Sequence, residues 1–371
     1  MTTRPDVVHL TTAHPPTDNR IFRKECTVLH EAGIDVHVIA TQDADSVVDG
    51  IPVHALPRRS NRLTRMALGP VDALRTVRRL QPQVVHIHDP ELIPVVALWK
   101  ATSRGKAIFD SHEDLGKQVM GKPYLPTWSR PAVATFVRGL EAMADRSFDA
   151  IVTATPSIAR NFRNKRVTVV QNFPWLRDFP LPTPMPQGSP VKLCYIGGIS
   201  AGRGSREMVA AVDAMPAETE LVLAGPVAPD ARSHVDDSSD RVDYRGVVAA
   251  RDIPEMLADS TVGLAVLHPL PNYLEAQSTK IFEYMAAGRP FVASDFPSWK
   301  LMFGSYDCGT LVNPLDVEAI SSAVSTLVDD PDRAADMGRR GRHAVETVFN
   351  FEIEGAKLVA LTRDLLARTR T

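Results

Sequence analysis

The sequence predicts an α/β protein of two parallel-sheet domains, and three observations carry that prediction. Short apolar, strand-like runs alternate with helical patterns along most of the chain. A segment with six prolines, 173–190, interrupts the alternation once, and it can continue neither a helix nor a central strand. Polar clusters recur where the strand-like runs end, which is where a parallel sheet collects ligand-binding groups. A length of 371 residues is also long for one core and suits two.

Residues 6–12 read as the first strand, followed by the loop 12–20, a helix over 21–32 stopped at Gly33, and a second strand over 34–40. That loop is not Gly-x-Gly-x-x-Gly, so a dinucleotide-binding fingerprint is absent. Asp18 and Arg20 fall beyond a strand's carboxyl end, where such sheets present ligands; Asp18 serves equally well as a helix cap. Strands follow at 84–87, 106–109, 150–155 and 167–170. Two of them run into His88-Asp89-Pro-Glu91 and Asp110-Ser-His112-Glu113-Asp114, and as a set His88, Asp89, His112 and Glu113 read as the lining of a cleft.

After the proline-rich segment the pattern restarts, with strands at 191–196, 220–224, 242–244, 263–267, 291–293 and 309–312. The first of these leads into Gly197-Gly198-Ile199-Ser-Ala-Gly202-Arg203-Gly204. Glycines let backbone amides approach a phosphate, and Arg203 supplies a charge to neutralise it. Further on, Ser278 or Thr279 can cap a helix that Gly288 and Pro290 end. Ile281, Phe282, Met285 and Ala286 share its apolar face, with Lys280 and Glu283 together on the other. The free N–H groups of a helix start suit an anion, and two carboxylates, Glu275 and Glu283, flank that start with Lys280 between them. The alternative is an ordinary surface pair of Lys280 and Glu283 at i, i+3 spacing. Helices at 317–328, 333–348 and 352–367 close the chain.

The spacing of Glu275 and Glu283, followed by Tyr284-Met-Ala-Ala-Gly288-x-Pro290-x-x-Ala-Ser-Asp295, resembles the signature of retaining family 4 (group 1) glycosyltransferases. Asn19-Arg-Ile-Phe-Arg-Lys-Glu25, His88-Asp-Pro-Glu-Leu92 and Asp110-Ser-His-Glu-Asp114 resemble one branch of that family. The resemblance implies a GT-B fold, two Rossmann-like domains facing each other across a central cleft. It implies an acceptor-binding domain at 1–172, a linker at 173–190, a nucleotide-sugar domain at 191–350, and a last helix within 351–371 that crosses back onto the first domain. The donor is then a nucleoside diphosphate sugar acting as co-substrate, with no cofactor and no divalent metal, and the anomeric configuration is retained.

Roles follow by position. His112 and Glu275 are the catalytic candidates, one from each half, and Glu283 holds the donor ribose. Arg203 grips the diphosphate beside Gly198, and Lys280 replaces the family's second basic residue, whose place Ile199 takes. Ser278 and Thr279 offer the helix start, and Val248, in Gly246-Val-Val248, meets the base. Asp18, Arg20 and His88 complete the binding set. The chain departs from the family in having Glu275-Ala-Gln-Ser-Thr279, with no glycine, where many members carry Glu-Gly-Phe-Gly-Leu.

The net charge of −2 conceals an asymmetry, with basic residues in excess up to 172 and acidic ones beyond it. Much of the basic excess lies in 57–80, where seven arginines interleave with apolar residues and a single acidic residue, Asp72. Two readings stay open for that stretch: a solvated helix face, or a basic amphipathic surface for a membrane or an anionic, lipid-linked acceptor. Cys26, Cys194 and Cys308 are widely spaced, with no metal-ligand pattern. No apolar run has transmembrane length and none near the start resembles a signal core. The expectation is a cytoplasmic protein of glycan biosynthesis, peripheral on the inner membrane face if 57–80 docks there, with no nucleic-acid partner. Asp43-Ala-Asp45 matches a metal-binding Asp-x-Asp by chance, being remote from the donor signature. Alternative functions are a nucleotide-sugar enzyme of the 2-epimerase kind and a non-catalytic nucleotide-sugar binder. A glycosidase using Glu275 and Glu283 and a nicotinamide dehydrogenase are weaker.

Overall fold

In the computed structural model, which describes residues 4–120, 126–186, 188 and 190–369, the chain divides into two units. The first comprises Met1–Asn172 with Phe351–Thr371, and the second Phe173–Asn350. Residues 187 and 189 of the proline-rich segment, and 370–371 at the C-terminal end, lie outside the described residues.

The first unit is built on β1 (Val7–Leu10), β2 (Val36–Thr41), β3 (Ser46–Val48), β4 (Ile51–Leu56), β5 (Val84–Ile87), β6 (Lys106–Ser111), β7 (Ala150–Thr153) and β8 (Val167–Val169). Their order in the sheet is β3-β4-β2-β1-β5-β6-β7-β8. All neighbours are parallel except the β3–β4 hairpin. β1, β5 and β7 are buried at every position, as strands covered on both faces must be. The hairpin is absent from the expected element list, although Asp49 and Gly50 mark it with φ values of 49° and 81°. It also accounts for Asp43 and Asp45: Asp45 Oδ1 accepts from the Ala55 amide at 2.8 Å, and Asp43 pairs with Arg58 at 2.6 Å. A helix at Arg130–Ser147 occupies another stretch to which the sequence reading assigns no element.

The helix expected over 21–32 has a different interior. Its first stretch, Ile21–Cys26, is π-helical, with the Arg23 amide reaching Asp18 O at 3.1 Å and the Glu25 amide reaching Arg20 O at 3.0 Å. An ordinary α-helix follows over Thr27–Glu31. The wider turn rotates Lys24 and Glu25 inward, and both are buried.

The second unit contains β9 (Val191–Ile196), β10 (Thr219–Ala224), β11 (Val242–Tyr244), β12 (Val262–Ala265), β13 (Phe291–Ser294) and β14 (Gly309–Val312). All are parallel, in the order β11-β10-β9-β12-β13-β14. That is the doubly wound order, whose direction reverses between β9 and β12; the first sheet reverses between β1 and β5. Apolar clusters fill both faces of the second sheet.

The proline-rich segment packs into this unit. Phe173 and Phe179 lie in one of its cores. Two buried arginines bind the segment's backbone: Arg289 donates to Thr183 O at 3.2 Å, and Arg342 to Phe179 O and Pro180 O at 3.1 and 3.2 Å. The C-terminal helix, Phe351–Ala367, packs within the first unit, where Glu354 Oε2 accepts from the Gln171 amide at 3.0 Å. Among the described residues no helix is long and apolar enough to cross a membrane.

Candidate active site

Two groups of candidate residues form, one in each unit, and each lies at the point where the strand order reverses.

In the second unit β9 ends in the glycine-rich turn. Gly197 holds a φ of 122° and Gly204 one of 77°, and a Cβ on Gly204 would stand 2.1 Å from Val266 O, so neither position accepts a side chain without strain. The Arg203 guanidinium folds back over this turn and donates from Nη1 to Gly198 O at 3.1 Å. A Cβ at Gly198 would meet that same nitrogen at 2.8 Å, so glycine there makes room for the arginine. The turn is braced from the side: Gly225 packs on Gly197, and the Gly225 amide donates to Gly246 O at 2.7 Å. This carries the 246–248 loop up to the turn, with Val248 half-buried on it.

The helix Thr279–Ala286 starts beside this turn. Ile281, Phe282, Met285 and Ala286 are buried in the core, as their spacing requires. The helix ends with Gly288 at φ 69°, the Arg289 amide reaching back to Tyr284 O at 2.9 Å in a Schellman closure. Ser278 occupies the cap position with a side chain that caps nothing; its hydroxyl stands 3.5 Å from Lys280 Nζ. The N–H groups of Thr279 and Lys280 therefore receive no capping oxygen from it.

Lys280 departs most from the sequence reading. In place of a surface pair with Glu283, the residue is only 8% exposed, with Nζ over the Tyr195 ring at 4.8 Å and the chain end against Gly197. Burial, and next the Arg203 charge, lower its pKa to about 7. Ile199 is buried in the core, which excludes a second charge at that place. Glu283 is half-buried one turn further along the helix. Glu275 is exposed in the loop after β12, which Trp299 Nε1 anchors by donating to Ala276 O at 2.8 Å.

In the first unit the centre of the group is Asp110, a residue that the expected site leaves out. Arg20 grips it with two hydrogen bonds of 2.8 Å, and His88 Nδ1 lies 3.1 Å from the same carboxylate. His112 Nδ1 stands 3.6 Å from Asp110 Oδ2. Burial pushes Asp110 up, but the Arg20 charge and the two nearby histidines outweigh it and hold the carboxyl well below its usual range. His88, expected on a cleft wall, is instead buried between Asp110 and His9, whose Nδ1 is 3.0 Å from His88 Nε2. Arg20 is likewise enclosed, and it also binds Val170 O at 2.9 Å. Neither of these two side chains is free to meet a substrate, because each is consumed in holding Asp110.

Asp18 accepts from the Arg20 and Ile21 amides at 2.8 and 3.0 Å, which is the capping role left open above. It also lies 3.6 Å from His14, and its pKa falls to about 2: burial opposes that shift, while His14 and the two amides outweigh it. Asp89 is a loop anchor, taking hydrogen bonds from Thr11 Oγ1 and the Thr12 and Ala13 amides. Glu113 is exposed, so of the four residues read as a cleft lining only His112 is half-buried at a rim, its ring edge-on to His14.

Comparison with known proteins fits this pairing of domains. Residues 19–173 match the family model described as Glycosyltransferase Family 4, and residues 190–330 match that described as Glycosyl transferases group 1. The chain belongs to the family 4, group 1 glycosyltransferases. Glycogen synthase of Mycobacterium tuberculosis is 24% identical to this enzyme over 331 residues, 81% of the chain and 71% of the relative. Sucrose-phosphate synthase from Thermosynechococcus elongatus superposes with a TM-score of 0.78 at 17% identity, covering 98% of this chain and 100% of that one. HepE of Anabaena, solved in complex with UDP and glucose, gives 0.71 at 14% identity over 97% and 99% of the two chains. At such identities the structures speak for the fold alone, and that fold is GT-B.

Proposed function

We propose that this glycosyltransferase moves a sugar from a nucleoside diphosphate sugar to its acceptor with retention of configuration and without a metal at the diphosphate. The observation that carries the reading is the convergence of Arg203, Lys280 and the uncapped helix start at Ser278–Thr279 beside the Gly197–Gly198 turn. Breaking the anomeric bond leaves negative charge on the diphosphate, and fixed cations and backbone dipoles stabilise it there as it develops. Lys280 supplies the charge that Ile199 cannot. Glu283 takes the ribose hydroxyls, the backbone around Val248 the base, and Glu275 the donor sugar. In the first unit His112, oriented by Asp110, serves the reacting centre; Arg20 and His88 act through Asp110. HepE, solved with UDP and glucose, supports a nucleotide donor.

The test is thermal stabilisation by UDP-, GDP-, ADP- and dTDP-sugars, since a ligand of the native state raises its melting temperature. One nucleotide class should give a shift that EDTA leaves unchanged and that Glu283→Ala abolishes. A donor-induced shift that requires a divalent ion would overturn the metal-free reading.

A lipid-linked or anionic acceptor is the second part of the reading. Leu63, Met66 and Leu68 are exposed on the helix Arg62–Leu80, in a stretch that also carries Arg58, Arg62 and Arg75. Arg65 belongs elsewhere, since it binds Glu91 at 2.7 Å and Thr12 at 3.1 Å. Wild-type protein should sediment with anionic vesicles and the Leu63→Ser/Leu68→Ser variant should not; equal recovery of both would end this reading.

A further inference from the structure

Behind Asp110, the interior of the first unit holds three side chains with no role in the proposed chemistry, His9, His86 and Glu25, beside His88, which acts there only through Asp110. β1 and β5 are neighbours, in a register that sets His9 beside His86. His88 follows two residues later and so faces the same side. The π-helical turn swings Glu25 into the same space, and His9, His86 and Glu25 are all 0% exposed.

Their donor atoms converge. His9 Nδ1 is 3.0 Å from His88 Nε2 and 3.8 Å from Glu25 Oε2, and His86 Nε2 is 4.0 Å from that same oxygen. One nitrogen or oxygen from each of the four lies within 4.8 Å of every other. A tetrahedral ion with nitrogen and oxygen ligands at about 2.0–2.1 Å sets its donors about 3.3 Å apart, inside that spread. The three rings stand 4.5 to 5.2 Å apart between centroids, with their planes inclined by 18° to 41°.

Hydrogen bonding alone leaves this cluster unsatisfied. Glu25 Oε2, both His86 nitrogens and His9 Nε2 are buried without a hydrogen-bond partner among the described residues. Each such orphan costs about 1–3 kcal/mol, and four in one space is a heavy load for a native fold. The surroundings are already arranged to orient ligands. His88 turns Nδ1 toward Asp110 at 3.1 Å, which aims its Nε2 inward, the carboxylate–histidine pattern found behind bound metals. Glu25 Oε1 rests 3.1 Å from Arg20 Nε, which leaves Oε2 toward the histidines.

We propose that His9, His86, His88 and Glu25 form a buried structural site for one divalent transition-metal ion, with zinc the best match to a three-histidine, one-carboxylate donor set. All four positions come from the protein, so the site is closed to water and substrate and takes no part in sugar transfer. Its work is to fasten the 21–31 helix to the two strands at the sheet's reversal point. Through His88 it also steadies Asp110, against which His112 rests. The proposal is independent of the donor reading.

The test uses untagged full-length protein expressed with zinc supplied, with metal content measured after gel filtration. Wild type should carry about one zinc per chain, and a His9→Asn/His86→Asn variant less than about a tenth of that. Because that variant can fail to fold, metal-stripped wild type is also titrated with Co2+. The intense visible band of a tetrahedral site should saturate near one equivalent, and zinc should abolish it. Folded wild type that carries no metal and gives no cobalt band would overturn the proposal. So would zinc content unchanged in the double variant, which would put the ion elsewhere.

Discussion

The proposed contact of Lys280 with the donor diphosphate would make donor binding a proton-linked event. Its pKa of about 7 in the free protein means that near neutrality half of the molecules lack the charge which the diphosphate needs. A bound diphosphate favours the ammonium, so donor binding must take up a proton whenever the free lysine has lost it. The sign follows: affinity is flat below about pH 7 and weakens about tenfold for each further unit, because only the protonated fraction is competent. By pH 9 that is about a hundredfold, or about 2.7 kcal/mol. A nucleoside diphosphate sugar has no phosphate group that titrates in this range, so the slope belongs to the protein. Calorimetry in buffers of different ionisation enthalpy should show close to one proton taken up per donor at about pH 8 and almost none at about pH 6. Lys280→Met should bind weakly at every pH and lose the slope. A dissociation constant that is flat from about pH 6 to 9, or a slope retained in Lys280→Met, would refute the reasoning.

Three further outcomes follow from the geometry. Asp110→Asn removes the partner of a buried arginine and should destabilise the first unit by about 3 kcal/mol in urea; a loss under about 1 kcal/mol would mean that Glu25 alone suffices as counter-charge. Gly204→Ala combines a φ of 77° with a Cβ 2.1 Å from Val266 O, and should cost at least about 2 kcal/mol; an unchanged melting temperature would contradict the close approach. Glu141 has a pKa near 7, raised by burial and then by Asp114. The folded chain therefore holds a proton that the unfolded chain releases at lower pH, so stability should fall as pH rises from about 4.5 to 7. The decline should be about 1–2 kcal/mol after discounting for partial solvation. Glu141→Gln should remove that portion of the pH dependence, and an identical profile would refute the assignment.

Strand positions are legible in the sequence because parallel strands covered on both faces read as continuous apolar runs; four of the expected strands, 84–87, 191–196, 242–244 and 309–312, coincide with observed ones. The β3–β4 hairpin escapes because Pro52 argues against a strand and the Asp49-Gly50 turn between short runs is easily passed over. The Arg130–Ser147 helix buries only Ala134, Glu141 and Ala144, so its apolar stripe is faint.

The candidate site divides along the same line. Local pattern reveals the glycine-rich turn, the helix start at Ser278 and the polar strand ends, because backbone geometry and spacing are written into neighbouring residues. The partners of those groups were decided elsewhere. Arg20 meets Asp110 across ninety positions, and Lys280, in the first turn of its helix, meets Tyr195 of β9 and Arg203 of the turn that follows it. Glu25 turns inward only because a π-helical turn adds a residue to its helix. By itself the sequence determined two doubly wound domains, the glycosyltransferase signature and the residue types at each strand end. Only the tertiary structure decided which charges are buried, because burial depends on packing between segments distant in the chain, and it is burial that lowers the Lys280 pKa to near neutrality and takes His88 and Arg20 away from the substrate.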